Sequence, residues 1–457
     1  MHVSRRILLA LVVGTFAAAC ATDSGTRSIT STTDASLDAQ VRQSIGSWGV
    51  VPILPVKAQD QALVDLGRML FFDKLLSGNR DVSCASCHSA LDHTGDDRAL
   101  AVGTGAIGSG GSRQLGPTRE FTPRNAPALF NAGLGGFYMF WDGRISGFGP
   151  GFQAPLGLTL PSALSGLAAA QAMIPVTDRV EMRGRPGDRD VFGNLNEIAQ
   201  IPDSQNTAIW NAVMARVMAV AEYKQRFNAA FPGLPATAFG FQHTANAIAA
   251  FETQAFSKTN SPFDRFLARD DNAMSADAKR GALLFFGHAG CSGCHNGPLL
   301  GGQSFANVGV PQLGPGTGKA APLDGGRDDF NPQGKPQFLF RVAPLRNVEL
   351  TAPYMHNGAY ATLEAVVSHY NNVDSAMKAF SATELDPAYR SSYRGDAATI
   401  AQVLATVDGR LRVPLHLSAD EQRQIVAFLK SLTDPAARDL SSIIPAAVPS
   451  GLPVRDP

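Results

Sequence analysis

Two short runs, Cys84-Ala85-Ser86-Cys87-His88 and Cys291-Ser292-Gly293-Cys294-His295, constrain this 457-residue chain more than any other feature. The chain has five cysteines, and these runs use four of them. Disulfides would leave the histidine after each pair without a reason. A zinc site could join the pairs, but they lie about 200 residues apart, a full domain's length. Covalent haem attachment accounts for all six residues. Two thiols add to the haem vinyl groups, and the adjacent histidine is thereby aimed at the iron as axial ligand. The chain is expected to carry two c-type haems, one on Cys84, Cys87 and His88 and one on Cys291, Cys294 and His295.

Attachment of this kind suits a chain exported unfolded, and the N-terminus reads as an export signal. His2 to Arg6 is positively charged, and Ile7 to Ala18 is an apolar run too short to span a bilayer comfortably. The run ends in Ala17-Ala18-Ala19-Cys20, similar to a bacterial lipoprotein cleavage site, which would make Cys20 the lipidated first residue. Arg5-Arg6 is only a weak twin-arginine feature. The expectation is a signal peptide at 1–20, then a flexible tether at 21–50 rich in Ser, Thr and Asp. The protein would then be lipid-anchored on the periplasmic side of the cell envelope. Lys plus Arg and Asp plus Glu balance at 39 each with no basic run, so nothing points to nucleic acid as a partner.

Each haem motif follows an amphipathic segment. Leu63, Leu66, Met69 and Leu70 have helical spacing ahead of Cys84, and SADAKRGALLFF ahead of Cys291 repeats the theme with Ser275 as candidate N-cap. Both segments end in LFF. Further helical patterns lie in NTAIWNAVMARVMAVAEYKQRF and TANAIAAFETQAFS, and no long alternating run suggests an extended sheet. Gly (45) and Pro (29) are modestly above their usual share, which implies much loop around short helices. The fold class expected is all-α, with two tandem cytochrome c-like domains at 51–265 and 266–435 and long loops. A Pro-rich tail at 436–457 would wrap the surface or be disordered.

The stretch from Ser261 to Gly302, together with FWDGR (140–144), RNAPALFN (124–131) and LRNVELTAPYMHNGAYATLEAVV (345–367), resembles the bacterial di-haem cytochrome c peroxidase family, which includes the MauG-type enzymes. The resemblance runs from about Ala58 to about Leu432. It implies that His88 is the proximal ligand of a peroxide-reacting haem and His295 that of an electron-relay haem. Trp141 matches the tryptophan between the two haems. Gln171 and Glu181, ten residues apart, match the distal pair that assists O–O cleavage, with Pro175 at the family's pocket proline. A carboxylate does this work when burial holds its pKa near the working pH, which makes Glu181 the candidate acid/base. Asn125, Thr351 and Pro353 match a Ca2+ site built from oxygen ligands.

Two departures stand out. Trp141 and Gln171 are farther apart than in the family, so Ile145 to Ala170 reads as an insertion beside the site. The loop Leu100 to Pro127, where some members carry a histidine that closes the first iron, has none. His93 is the only nearby histidine and is expected to serve elsewhere, so the first iron is expected to be open. Opposite the second iron the resemblance points to Tyr370, the MauG-type ligand, with Met355, His356, His369 and Met377 as rivals. The implied function is a peroxidase that reduces hydrogen peroxide to water with electrons from a small periplasmic cytochrome c or copper protein. The alternative is a MauG-type oxidase that modifies a side chain of a protein substrate. A plain di-haem carrier would need both irons closed, which the histidine-free loop opposes. A homodimer is a further implied partner.

Overall fold

The computed structural model describes residues 30–108, 112–147, 151–155, 157–329 and 337–455; the export signal and Cys20 lie outside the described residues. The helices are α1 (Thr30–Gly46), α2 (Gln61–Phe72), α3 (Cys84–Cys87), α4 (Leu167–Ala172), α5 (Asn206–Ala219), α6 (Ala221–Ala230) and α7 (Phe241–Phe256). They continue with α8 (Pro262–Leu267), α9 (Ala276–Phe286), α10 (Leu363–Asn371), α11 (Val373–Ala379), α12 (Ala397–Ala405) and α13 (Ala419–Lys430). Among the described residues the strands are four, each two residues long. β1 (Tyr138–Met139) pairs antiparallel with β2 (Ile145–Ser146), and β3 (Phe305–Ala306) with β4 (Phe340–Arg341). The molecule is mostly helix and loop, as the patterning implies.

Helix α2 starts where Asp60 accepts a hydrogen bond from the Leu63 N–H (3.0 Å). It buries Leu66, Leu70, Phe71 and Phe72 against α7, within a first core that also takes in Trp210, Tyr223, Phe227 and Phe251. Each such side chain stabilises the fold by about 1.5–3 kcal/mol when fully buried. Helix α9, capped by Ser275 (3.2 Å to the Ala278 N–H), buries Phe285 and Phe286 against Phe428 of α13 in a second core. The two crossings share a device. A Cβ on Gly67 would lie 1.8 Å from the Ala247 carbonyl oxygen, and one on Gly281 1.8 Å from that of Gln424. Glycine at these positions lets each pair of helices approach at backbone distance. Gly67 and Gly281 stand at matching places, five residues before the end of an LFF run, so the repetition is one of packing as well as of sequence.

Three segments differ from expectation. Part of the expected tether is helix α1, which buries Val41 and Ile45 in the second core, joined there by Val50 just beyond it, and pairs Asp38 with Lys279 (2.7 Å). Its apolar residues recur at helical spacing, and that outweighs the polar composition. The Pro-rich tail is ordered in its described part and buries Ala437, Leu440, Val448 and Leu452 in the first core. There Ser450 donates to Asp73 (2.6 Å), a buried carboxylate that also accepts from the Tyr223 hydroxyl (2.7 Å). The long pattern 206–227 is two helices, broken where Val220 turns extended. The inserted segment contributes Ile145, Ala168, Ala169 and Ala170 to the first core, and Asn246 of α7 binds it at Ala163 and Ser165 (both 2.8 Å).

Candidate functional site

Each cysteine–histidine run forms a single helical turn. In α3, the Ser83 N–H donates to the Ser86 hydroxyl (3.0 Å), and the His88 N–H returns to the Cys84 carbonyl (2.9 Å). The His295 N–H returns likewise to Cys291 (2.9 Å). Positions i, i+3 and i+4 share one face of such a turn, so both thiols and the imidazole reach the same space. Among the described residues these four cysteines form no disulfide.

That space is one continuous cavity of about 1040 Å³. Its walls include Cys84, Cys87, His88, Cys291, Cys294 and His295, so both runs open into it. Trp141, Gln171, Glu181, Tyr370, Asn125, Thr351 and Pro353 line it as well. The residues suit a haem on three counts. The walls combine thiols with largely apolar side chains. His88 Nδ1 lies 3.1 Å from the Thr94 carbonyl oxygen and His295 Nδ1 3.1 Å from that of Leu300. A carbonyl only accepts, so Nδ1 carries the proton and Nε2 is left as the metal-binding nitrogen. Burial lowers the pKa of both histidines, that of His295 to about 4, which keeps them neutral as ligation requires.

FWDGR is the turn between β1 and β2. The Trp141 indole Nε1 donates to the Asn125 carbonyl (2.9 Å), and the turn is tied from β4 by Arg341, whose Nε donates to Phe140 O (2.9 Å). Asp142 pairs with Arg124 and Arg144, and Arg124 also grips Asp324 with two hydrogen bonds of 2.7 and 2.8 Å. These buried ions hold the tryptophan-bearing turn against the second half of the chain.

Glu181 rides on a π-helical turn, Arg179–Arg183, that begins at Asp178. The Asp178 carboxylate caps it by accepting from the N–H groups of Val180 (2.8 Å) and Glu181 (2.9 Å). The Glu181 side chain keeps 29% of its exposure, directed into the cavity, and Arg144 lies 4.0 Å from its Oε1. Burial pushes its pKa up to about 7; Asp178 adds to the rise and Arg144 opposes it. Gln171 lies in α4 and Pro175 in the 3-10 turn that follows, and both line the cavity.

Among the rival ligands, His369 has both ring nitrogens engaged, Nδ1 with the Tyr360 hydroxyl (2.9 Å) and Nε2 with the Val308 carbonyl (2.8 Å). Met377 is buried in a separate cluster, and neither residue lines the cavity. Met355 and His356 do, with His356 stacked on Phe340 at 3.5 Å. Tyr370 sits in α10; burial raises its pKa above the ordinary value, and the Cys294 and Cys291 thiols add to the rise, which puts it beside the second run. His93 does not line the cavity. Sequence reasoning missed Arg144, Asp178 and Glu252. The last is a buried glutamate whose only sequence signal is an acid on the otherwise apolar face of α7.

Comparison with known proteins agrees with this geometry. Residues 61–272 match the family model described as di-haem cytochrome c peroxidase. The cytochrome c551 peroxidase of Pseudomonas aeruginosa is 30% identical over 395 residues, covering 86% of this chain and 84% of that protein. The methylamine utilization protein MauG of Methylorubrum extorquens is 29% identical over 395 residues, covering 86% and 82%. The crystal structure of a MauG-like protein associated with microbial copper homeostasis superposes with a TM-score of 0.56 at 26% identity, over 85% of this chain and 94% of that one. The chain belongs to the di-haem cytochrome c peroxidase family and is an oxidoreductase of that kind.

Proposed function

We propose that the protein reduces hydrogen peroxide to water at the Cys84–His88 run, with electrons entering through the Cys291–His295 run from a small periplasmic redox protein. The observation that carries this reading is Glu181, a carboxyl with a near-neutral pKa on the wall of the cavity that both runs share. Cys84, Cys87 and His88 would hold one haem, and Cys291, Cys294, His295 and Tyr370 the other, each in a cytochrome c-like domain. When bound, the haems supply redox-active iron for the peroxide reaction and for electron relay. Glu181 takes a proton from peroxide and returns it to the departing oxygen, a cycle one carboxyl performs well when its pKa lies near the working pH. Gln171 orients the peroxide by hydrogen bonding. Trp141 is fixed by its Nε1 bond to Asn125, and its aromatic face carries charge between the two halves.

Asn125, Thr351 and Pro353 would bind Ca2+. The Asn125 amide nitrogen is committed to the Arg98 carbonyl (2.6 Å), and no donor among the described residues reaches its Oδ1, which leaves that oxygen for a hard cation. Chelation with EGTA should lower turnover several-fold and added Ca2+ restore it; full turnover after verified Ca2+ removal would count against the site. Periplasmic location, a lipid anchor at Cys20 and a homodimer belong to the same proposal.

Tyr370 favours a second reading, a MauG-type oxidase acting on a protein side chain, because a phenolate stabilises oxidised iron. Steady-state assay with peroxide and reduced cytochrome c separates the two. Sustained turnover supports the peroxidase. Rapid oxidation of both haems with negligible turnover supports the oxidase. Cryogenic EPR of the oxidised holoprotein should contain a high-spin ferric component from an open first iron, and a purely low-spin spectrum would contradict it.

A further inference from the structure

Glu252 is a buried titratable group that the proposed chemistry does not use. It sits in α7 one turn after Ile248, and both side chains line the cavity. The residue is 6% exposed, and no hydrogen bond or ion pair holds its carboxyl group among the described residues. Its charge acts on the Cys84 thiol, so it lies on the Cys84 side of the cavity. A buried carboxyl without a partner is costly as an anion and far less so as the neutral acid. Burial alone accordingly pushes its pKa up to about 8.

The elements packed on α7 bring no counter-charge to it. On α2, Asp65 accepts from Gln61 (2.9 Å) and Arg68 donates to the Ile443 carbonyl (2.5 Å). On α5, Arg216 pairs with Glu197 (2.5 Å). Helix α4 and the 3-10 turn Ala132–Leu134 carry no charged residue, and α3 contributes the thiols of Cys84 and Cys87. Haem attachment would convert both thiols to neutral thioethers. Thioethers occupy the ring edge across from the propionates, so a carboxyl beside Cys84 is not a propionate partner.

We propose that Glu252 is a redox-linked proton carrier for the first haem, protonated when the iron is reduced and ionised when it is oxidised. The proposal rests on the reading that Cys84 and Cys87 carry a haem. Glu252 gains one proton from solvent as the iron gains one electron from the donor protein, and it releases that proton when the electron leaves. The local charge stays constant through the cycle. Peroxide reduction consumes two protons with its two electrons, and Glu252 thereby takes up one of them as an electron arrives and delivers it as that electron leaves.

Spectroelectrochemical titration of the holoprotein from about pH 6 to about pH 9 tests this. The midpoint potential of the first haem should fall as pH rises, approaching a tenfold change in the redox equilibrium per pH unit, about 59 mV for one electron. In E252Q that slope should flatten while the second haem keeps its behaviour. A first-haem potential independent of pH, or a slope unchanged in E252Q, overturns the proposal. Redox-difference infrared spectra of the unmutated protein give a second readout. A protonated-carboxyl band lost on oxidation supports the assignment, and no such band counts against it. Mass spectrometry without haem on Cys84 and Cys87 would overturn the underlying reading as well; intact haem with a pH-independent potential overturns this one alone.

Discussion

Glu181 owes its near-neutral pKa to burial first and then to charged neighbours with opposite effects, Asp178 and Arg144 foremost. Asp178 raises it and Arg144 lowers it. Acting as a base on peroxide, Glu181 works as the carboxylate, so the rate of peroxide capture should rise with pH through about 7. D178N removes a charge yet keeps a residue able to cap the turn, so the inflection should move to lower pH. R144Q removes the opposing cation and should move it to higher pH. The pH profile of kcat/KM checks both, and shifts in the same direction would contradict the electrostatic origin. The two CxxCH runs were legible because that pattern is chemistry written in consecutive positions, and both open into the cavity. That Glu181 and Gln171 would face a common cavity was legible through their spacing within a recognised family. Glu252 was not, because on an apolar helix face nothing in sequence separates a lone acid aimed at a cavity from one that snorkels to solvent.

The start of α9 was readable because Ser275 caps it, and Asp60 does the same for α2. The break at Val220 was not, since Ala and Val run through it without proline or glycine. Helix α1 was hidden by its Ser- and Thr-rich start, although Val41 and Ile45 carry the spacing that buries it. The helix crossings depend on glycine, whose role shows only once the partner backbone is known. G281A should destabilise the second core by about 1–3 kcal/mol, because a methyl group cannot fit 1.8 Å from the Gln424 carbonyl without parting α9 from α13. A urea midpoint for the holoprotein equal to that of the parent would contradict the close crossing.

Across the whole molecule the described chain ends exchange cores. Helix α1 packs into the second core, and the tail packs into the first. Deleting residues 439–457 should therefore lower stability, with Leu440, Val448 and Leu452 each contributing at most about 1.5–3 kcal/mol. An unchanged thermal midpoint of the holoprotein would show that the tail is dispensable. This exchange was not legible in sequence, because order in a Pro-rich segment depends on a distant surface, here Asp73 and Tyr223. The all-α character and the paired haem runs were legible, and the single cavity that unites them came only with the fold. That peroxide reacts on the Glu181 side of this cavity is tested most directly by rapid mixing of haem-loaded protein with hydrogen peroxide, following haem absorbance in the parent and in E181Q. E181Q should react on the order of 10²-fold more slowly or worse and lose the pH inflection near 7, with both haems still attached. A parental rate and pH profile in E181Q would contradict it.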